Sequence, residues 1–253
     1  MRKLARNIGK RRQAICDMVN QNGSVNFTQL KECFPGVSEV TLRKDLQYLD
    51  ETQQIIRIHG GAKALPQTMN FVYRSSIHQT EKGIIATKAA ELIQPNTSVF
   101  ITAGSTCAEL AKRLPPIPMC VFSDGLYTAI NFPKRIDLTV QVLGGEVDMN
   151  TMRIEGLAVL KQLEEMHFNI SFLGTPGFHP DYGFSYFSEM TAAAISTVIR
   201  NSDKVVMLMD SSKVNYALMP QKVPLEAVDV LVTDDMLESE IVEKLAKKKI
   251  EIL

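Results

Sequence analysis

The segment 38–51 carries side chains whose types and spacing suit the recognition of base edges in double-stranded DNA. On a helical wheel, Leu42, Leu46 and Leu49 fall within a narrow arc that must face a core. The opposite face is polar except for Val40. Lysine and arginine donate to guanine or to phosphates, glutamine pairs with adenine, and a valine methyl can contact thymine. The predicted DNA contacts on this helix are Ser38, Val40, Thr41, Arg43, Lys44 and Gln47.

The residues before this segment predict two helices that must support it. Apolar residues recur at helical spacing over residues 4–19, and the Asn-Gly pair at 22–23 ends that helix. Thr28 is expected to cap a short second helix, which the Pro-Gly pair at 35–36 terminates. An ordinary three-helix domain with a solvated charged face is the alternative to a DNA-binding domain.

A predicted wing after the third helix favours DNA binding over that alternative. Ser38 can cap the third helix, which extends to about residue 50, and the β-rich run 55–59 then ends at a pair of glycines. Arg57 and His59 in this run are predicted phosphate or minor-groove contacts. For His59, a turn histidine that is hydrogen-bonded locally remains equally open. The whole pattern is that of a winged helix-turn-helix over residues 1–62.

Charge is divided unevenly along the 253 residues, although 28 Lys+Arg balance 28 Asp+Glu. Residues 1–65 hold 11 basic and 6 acidic residues, a net charge of +5. Residues 66–253 hold 17 basic and 22 acidic residues, a net charge of −5. The basic end therefore suits an anionic partner such as DNA, whereas the acidic remainder does not.

Other spacings argue against several classes of protein. The four cysteines form no CxxC pair and the four histidines no HxxxH pair, so we expect no metal site and no cofactor. The basic N-terminus lacks the apolar run of a signal peptide, and no apolar stretch approaches the ~20 residues of a membrane span. We therefore expect a cytoplasmic protein without a membrane partner.

The remainder of the chain alternates predicted strands with helices. That alternation predicts an α/β domain over residues 81–253, built on a mostly parallel sheet. Residues 63–80 lack clear periodicity and are expected to form a linker. The predicted strands span residues 98–101, 119–122, 138–143, 168–173, 205–209 and 228–232.

Small and polar residues gather just after these strands, where open α/β sheets bind ligands. The Gly-Ser-Thr run at 104–106 could hold an anion through backbone N–H groups and hydroxyls, although it also suits a plain capped turn. Lys213 could neutralise a phosphate or be a surface lysine, and Arg153 with Glu155 could be a solvated pair. The predicted ligand-binding residues are Gly104, Ser105, Thr106, Ser123, Asp124, Gly145, Arg153, Glu155, Gly174 and Lys213.

An ordered set of motifs resembles one family along nearly the whole chain. GVSEVTLRKDLQYLDETQQIIRIHGGA (36–62) resembles the N-terminal signature of DeoR-type bacterial repressors. Further motifs follow in that family's order and spacing: EKGIIATKAAELI (81–93), AGST (103–106), VLGG (142–145), FLGTPG (172–177) and DSSK (210–213).

The resemblance implies a winged helix-turn-helix followed by a domain similar to ribose-5-phosphate isomerases. It implies a regulator that binds operator DNA as a homodimer or tetramer, most simply a repressor of sugar-metabolism genes that a phosphorylated sugar releases. The alternative is a sugar-phosphate isomerase-like enzyme with a fused DNA-binding domain.

Three positions depart from the family pattern. Thr102 stands where many members have Asp, Asp124 where Asn is usual, and Pro176 where a polar residue is expected. Isomerisation requires a positioned carboxylate base. Because Thr102 and Pro176 remove two plausible carboxylates, we expect a binding domain without turnover.

Overall fold

The computed structural model describes residues 8–52, 54–64, 71–214 and 221–253. The chain divides into two compact units, residues 1–74 and 75–253, named here the winged unit and the sheet unit. The predicted start of the first helix at Leu4 lies outside the described residues, as do Pro66 and Asn70 of the predicted linker. Within 63–80, the structure contains the end of a strand, the helix Phe71–Ser76 and the start of another helix.

The winged unit contains the predicted three helices, strand and glycine turn, together with two short strands that were not predicted. Its elements are α1 (Ile8–Asn22), β1 (Ser24–Asn26), α2 (Phe27–Cys33), α3 (Glu39–Glu51), β2 (Ile55–Ile58) and β3 (Gly61–Ala64); α4 (Phe71–Ser76) follows. The three strands form an antiparallel sheet in the order β1-β3-β2. The unpredicted strands are β1 and β3, and the hairpin of β2 and β3 extends two residues beyond the predicted limit of 62.

One helix cap was predicted correctly and one was wrong. The Ser38 hydroxyl accepts a hydrogen bond from the Thr41 backbone N–H at 3.2 Å, which confirms the cap of α3. Helix α2 is capped by Asn26, not by Thr28, which lies inside the first turn. Asn26 and Gln29 exchange two side-chain-to-backbone hydrogen bonds of 2.9 Å, a capping box that Thr28 cannot form.

Close packing of strands fixes the base of the wing. A Cβ at Gly61 would overlap the Val25 carbonyl oxygen and lie 2.9 Å from the Asn26 Cα. Gly60 before it has a φ of +81°, in the left-handed region. Gly60 is therefore required for its backbone conformation, and Gly61 for the close approach of β3 to β1.

The sheet unit is an α/β domain, as predicted. Its main sheet contains seven parallel strands, which lie side by side in the order Glu251–Ile252 (β15), Val230–Val232 (β14), Val205–Leu208 (β12), Ile170–Gly174 (β9), Thr97–Ile101 (β4), Met119–Ser123 (β5) and Leu138–Val142 (β6). The described elements are α5 (Gln79–Ala90), β4 (Thr97–Ile101), α6 (Ser105–Ala111), β5 (Met119–Ser123), α7 (Leu126–Ile130), β6 (Leu138–Val142), β7 (Glu146–Asp148), β8 (Arg153–Glu155), α8 (Leu157–Glu164), β9 (Ile170–Gly174), β10 (Gly177–His179), β11 (Gly183–Tyr186), α9 (Glu189–Arg200), β12 (Val205–Leu208), β13 (Gln221–Val223), β14 (Val230–Val232), α10 (Ser239–Lys247) and β15 (Glu251–Ile252), with 3-10 turns at Ser211–Lys213 and Leu225–Ala227.

Apolar side chains of the central strands pack on both faces of this sheet. Phe100 belongs to one buried cluster, whereas its neighbours Val99 and Ile101 belong to the other. Two smaller sheets, the hairpin β7-β8 and the antiparallel β10-β11-β13, were not predicted because their strands are only three or four residues long. In the part of the chain that the structure describes, no helix is long and apolar enough to cross a bilayer.

The order of the strands indicates where a ligand would be expected to bind. β5 follows β4 along the chain and pairs with one side of it, whereas β9 pairs with the other side. The order of strands therefore reverses between β4 and β9. In open parallel sheets, ligands bind beyond the carboxyl ends of the strands at such a reversal.

Candidate DNA-binding surface and ligand site

The exposed face of α3 presents the predicted base-contacting residues. Leu42, Leu46 and Leu49 are buried, as the wheel predicted. Lys44 and Gln47 are exposed on the opposite face, and Val40 is 63% exposed despite being apolar. An apolar side chain left in water on a polar face is suited to contact with a thymine methyl.

Contacts on α3 hold two of the predicted side chains in place. Arg43 donates to the Glu39 carboxylate at 2.8 Å, and its guanidinium lies 4.6 Å from the Phe27 ring centroid. This hydrogen bond from Arg43 holds the pKa of Glu39 below its usual value. Gln47 donates its amide to Glu51 at 2.8 Å. Glu51 therefore orients the side chain that is predicted to pair with adenine.

Hydrogen bonds from backbone N–H groups connect the wing to α3 and to α2. The Arg57 N–H donates to the Asp50 carboxylate at 2.8 Å, and the Phe27 N–H donates to the Gly60 carbonyl at 2.8 Å. The Arg57 and His59 side chains are exposed. Asp50 thus fixes the distance between the helix and the strand that carry the predicted contacts.

A buried carboxylate that the sequence analysis missed anchors α3 to α1. Asp45 lies between the buried leucines and accepts from Arg11 Nε at 2.6 Å and from Arg12 Nε at 3.0 Å. The Arg12 guanidinium also stacks 3.6 Å from the centroid of the Tyr48 ring. The signal in the sequence was a charged residue beside the apolar arc of the helical wheel.

The candidate ligand site, at the carboxyl ends of β4 and β5, contains a buried ion pair. Asp124, 1% exposed, follows β5 and binds the guanidinium of Arg153, 7% exposed, which reaches it from the hairpin strand β8. Asp124 also accepts from the Ala103 N–H at 2.7 Å and the Thr102 hydroxyl at 3.0 Å. Arg153 donates to Thr102 Oγ1 at 3.0 Å and to the Ala103 carbonyl at 3.1 Å.

This arrangement gives a physical meaning to two departures from the family pattern. Thr102 supplies a neutral hydroxyl at the end of β4, and the adjacent carboxylate comes from Asp124 instead. The Thr102 hydroxyl donates to Asp124 and accepts from Arg153, so it links the two charges. The carboxylate of Asp124 at the candidate ligand site is therefore already paired with the guanidinium of Arg153.

Two further residues, missed by the sequence analysis, lie beside this pair. The buried Tyr186 donates its hydroxyl to the Gly174 carbonyl at 3.0 Å. Burial raises the pKa of this hydroxyl far above its usual value; the nearby Arg153 guanidinium opposes this rise and the Asp124 carboxylate adds to it. Cys107 Sγ lies within 4 Å of the position a Cβ would take at Gly104 or at Gly174, so it packs between the two loops. Neither residue belongs to a local motif.

Some of the remaining predicted ligand residues lie just after strands of the parallel sheet, and others make hydrogen bonds or packing contacts within the fold. Ser105 and Thr106 begin α6 as predicted and are almost buried, and Lys213 ends the 3-10 turn that follows β12. The Ser123 hydroxyl is engaged by backbone, since it donates to the Ile101 carbonyl at 2.6 Å and accepts from the Gly125 N–H.

One predicted ligand residue on the hairpin side, Gly145, has a packing explanation. A Cβ at Gly145 would lie 2.7 Å from the Glu155 carbonyl oxygen and 2.9 Å from Val159, so glycine there is required by packing. Glu155 ends β8 and is half-buried. Across the described ranges, no group of three or more His, Cys, Asp or Glu side chains could hold a metal ion.

Comparison with protein families covers both units. Residues 11–68 match the model described as the DeoR-like helix-turn-helix domain. Residues 77–235, more than half of the chain, match the model described as the DeoR C terminal sensor domain.

Full-length relatives are named as regulators. The chain is 29% identical over 248 residues to the uncharacterized HTH-type transcriptional regulator YulB of Bacillus subtilis, covering 97% of this chain and 96% of that protein. It is 29% identical to the HTH-type transcriptional regulator GolR of Listeria innocua, covering 93% and 94%. It is also 29% identical to the glycerol-3-phosphate regulon repressor of Escherichia coli, covering 89% and 90%.

Among solved structures, the ribose 5-phosphate isomerase A of Methanocaldococcus jannaschii aligns with 54% of this chain and 55% of its own. The identity is 16% and the TM-score 0.38. At that score the likeness adds nothing to the fold described above.

The buried pair of Asp124 and Arg153 gives a stability prediction. Arg153→Met leaves a buried carboxylate without its cation, and breaking such a pair costs ~3–5 kcal/mol in free energy of unfolding. The double variant Arg153→Met/Asp124→Asn removes both charges, so it should recover much of that loss. Urea unfolding followed by circular dichroism measures all four members of the cycle.

Arg113→Met provides the control, because Arg113 pairs with Glu109 at the surface and should contribute at most ~1 kcal/mol. Strictly additive effects of the Asp124 and Arg153 substitutions would contradict the assignment of a coupled buried pair.

Proposed function

Because the chain belongs to the DeoR family of transcriptional regulators, we propose that it represses genes of sugar metabolism and leaves its operator when a phosphorylated sugar binds. The observation that carries this proposal is the pairing of two sites on one chain. The winged unit exposes a base-contacting helix face, and the sheet unit gathers polar groups at the reversal point of its sheet. Each site is what one half of such a switch requires.

The DNA-binding half of the proposal rests on α3 and the wing. Thirteen residues at 1.5 Å each give α3 a length of ~20 Å, enough to cross a major groove. Lys44, Gln47 and Val40 are the residues proposed to contact base edges. Ser38, Thr41, Arg43, Arg57 and His59 are proposed to hold phosphates or the minor groove on either side.

Arg12 is a further proposed phosphate contact, argued from charge. Arg12 shares the Asp45 carboxylate with Arg11, and one carboxylate cannot neutralise two guanidinium groups. Arg11 is buried, whereas the Arg12 side chain is 26% exposed. Of the three guanidinium nitrogens of Arg12, only Nε donates to an acceptor within the described residues. Its stacked guanidinium is therefore held rigid with its outer N–H groups available to an anion.

The sensing half rests on groups at the carboxyl ends of three strands of the parallel sheet. Ser105 and Thr106 follow β4, Asp124 follows β5, and Lys213 follows β12. We assign the two hydroxyls and Lys213 to the phosphate of the ligand and the Asp124–Arg153 pair to its hydroxyls. Since the sheet unit is acidic overall, an anion there depends on such local donors.

Linkage connects the two halves. A ligand can release DNA only by the difference in its affinity for the DNA-binding conformation and for the alternative one. The same coupling requires operator DNA to weaken ligand binding by an equal factor.

The geometry favours binding over isomerase chemistry. A general base must accept a proton, but the Asp124 carboxylate is already held by Arg153, Thr102 and a backbone N–H. Together these contacts engage both carboxylate oxygens, which a base would need for the proton of a substrate. We therefore propose that the sheet unit does not turn over sugar phosphates.

Base recognition by α3 is tested with single alanine variants. Lys44→Ala and Gln47→Ala should each cost ~1–3 kcal/mol in binding to a duplex selected by the full chain from a random library. Each should also relax the preference at one base pair. Lys112→Ala, on the sheet unit, is the control for charge alone. Unchanged affinity in both α3 variants, measured by fluorescence anisotropy, would refute the assignment.

Phosphate contact by Arg12 is tested through salt dependence. Arg12→Met keeps the side chain's apolar stem, and Arg57→Ala tests the wing. Each should weaken binding to all duplexes alike and reduce the slope of log Kd against log salt by about 1. An unaltered slope for Arg12→Met, in protein that is folded by circular dichroism, would assign Arg12 a purely structural role.

Ligand binding is tested by thermal shift against a panel of phosphorylated sugars. A ligand at 100 times its Kd should stabilise the protein by ~2.7 kcal/mol. Ser105→Ala/Lys213→Ala should remove this shift and leave DNA affinity intact. Lys204→Ala is the matched control, because Lys204 precedes β12 whereas Lys213 follows it. A normal response of the double variant would place the site elsewhere.

A further inference from the structure

One face of the hairpin β7-β8 carries three carboxylates around a single arginine. Antiparallel pairing places Glu146 opposite Glu155 and Asp148 opposite Arg153. Because paired residues and residues two apart share a face of a sheet, all four side chains stand on one face. Like charges directly opposite each other, as in Glu146 and Glu155, destabilise an antiparallel pair. The pairing of the hairpin therefore gains nothing from its second glutamate.

Arg153 joins this acidic face to the candidate ligand site. Its guanidinium donates to Thr102 Oγ1 at 3.0 Å and to the Ala103 carbonyl at 3.1 Å, and both of these residues follow β4. Its charge is balanced by Asp124, to which it is bound. The three carboxylates of the hairpin have no such compensation, since none of them forms an ion pair within the described residues. This side of the site therefore carries a net negative charge.

Glu155 is the carboxylate that is best placed to meet a ligand. It ends β8, two residues after Arg153, and it is half-buried. By contrast, Asp148 already accepts two hydrogen bonds inside the hairpin turn, and Glu146 is exposed. Within the described ranges, the Glu155 carboxylate accepts no hydrogen bond. An ionised carboxylate can accept a hydrogen bond from a sugar hydroxyl, but it repels an anion.

We propose that Glu155 selects the ligand by charge: it admits the phosphate monoester of an uncharged sugar or polyol and excludes a ligand with a second anionic group. The single phosphate is bound by Ser105, Thr106 and Lys213, as proposed above. A second anionic group at the other end of the ligand would face Glu155 in a half-buried environment, where like charges repel more strongly than in water. The inference rests on the proposed function, because it names which phosphorylated sugars the site accepts.

Matched pairs of ligands that differ by one anionic group test this selectivity on the full chain. The pairs are glycerol 3-phosphate with 3-phosphoglycerate, glucose 6-phosphate with 6-phosphogluconate, and fructose 6-phosphate with fructose 1,6-bisphosphate. Isothermal titration calorimetry measures the Kd of each compound. In at least one pair, the parent should bind the compound with the single anionic group at least about 10-fold more tightly than its partner.

Substitutions assign this preference to one side chain. Glu155→Gln keeps the shape of the side chain without its charge, so it should remove most of the preference. Glu155→Lys should reverse the preference, because lysine attracts the second anionic group. Glu164→Gln is the matched control: Glu164 is exposed at the other end of α8, so its substitution should leave the preference unchanged. Circular dichroism checks that each variant is folded.

Failure of the inference can be told apart from failure of the proposed function. If neither these compounds nor the wider panel of phosphorylated sugars binds the parent, the proposed sensing function fails and the inference fails with it. If a compound binds but its doubly anionic partner binds equally well, the inference alone is overturned. An unchanged preference in Glu155→Gln, or its loss in Glu164→Gln, would also overturn the inference alone.

Discussion

A carboxylate taken out of water needs donors or a cation beside it, and in each unit of this protein a buried contact between an aspartate and arginine joins distant segments. Asp45 holds two arginines of α1 against α3. Asp124 holds Arg153 of the hairpin against the ends of β4 and β5. Losing either partner would leave an uncompensated buried charge, so each pair enforces one packing. The surfaces proposed to bind DNA and ligand are positioned by these pairs.

The order of the strands explains how the sheet unit, although acidic overall, could bind the proposed anionic ligand. The reversal between β4 and β9 brings loops that are distant along the chain to one edge of the sheet. Small residues at Gly104 and Gly174 let those loops approach, with Cys107 packed between them. The local donors can then oppose the overall field of the unit. In the winged unit, field and local donors act in the same direction, because its net charge is positive.

Much of the fold could be predicted because its signals are local and periodic. The buried leucines of α3, the Ser38 cap and the six longer strands of the parallel sheet all follow from spacing. The capping box at Asn26 was missed because Thr28 offered a similar signal two residues later. The hairpin β7-β8 was missed because three-residue strands have no measurable period. Ion pairs between distant residues, such as Arg11 with Asp45, leave no local trace, and neither does the contact of Tyr186 with Gly174.

The central claim is that this chain recognises DNA through α3 and the wing. Selection of duplexes from a random library by the purified full chain tests it most directly. The account predicts enrichment of one shared sequence, in which Lys44→Ala or Gln47→Ala relaxes the preference at one base pair. Recovery of duplexes without any shared sequence would contradict it.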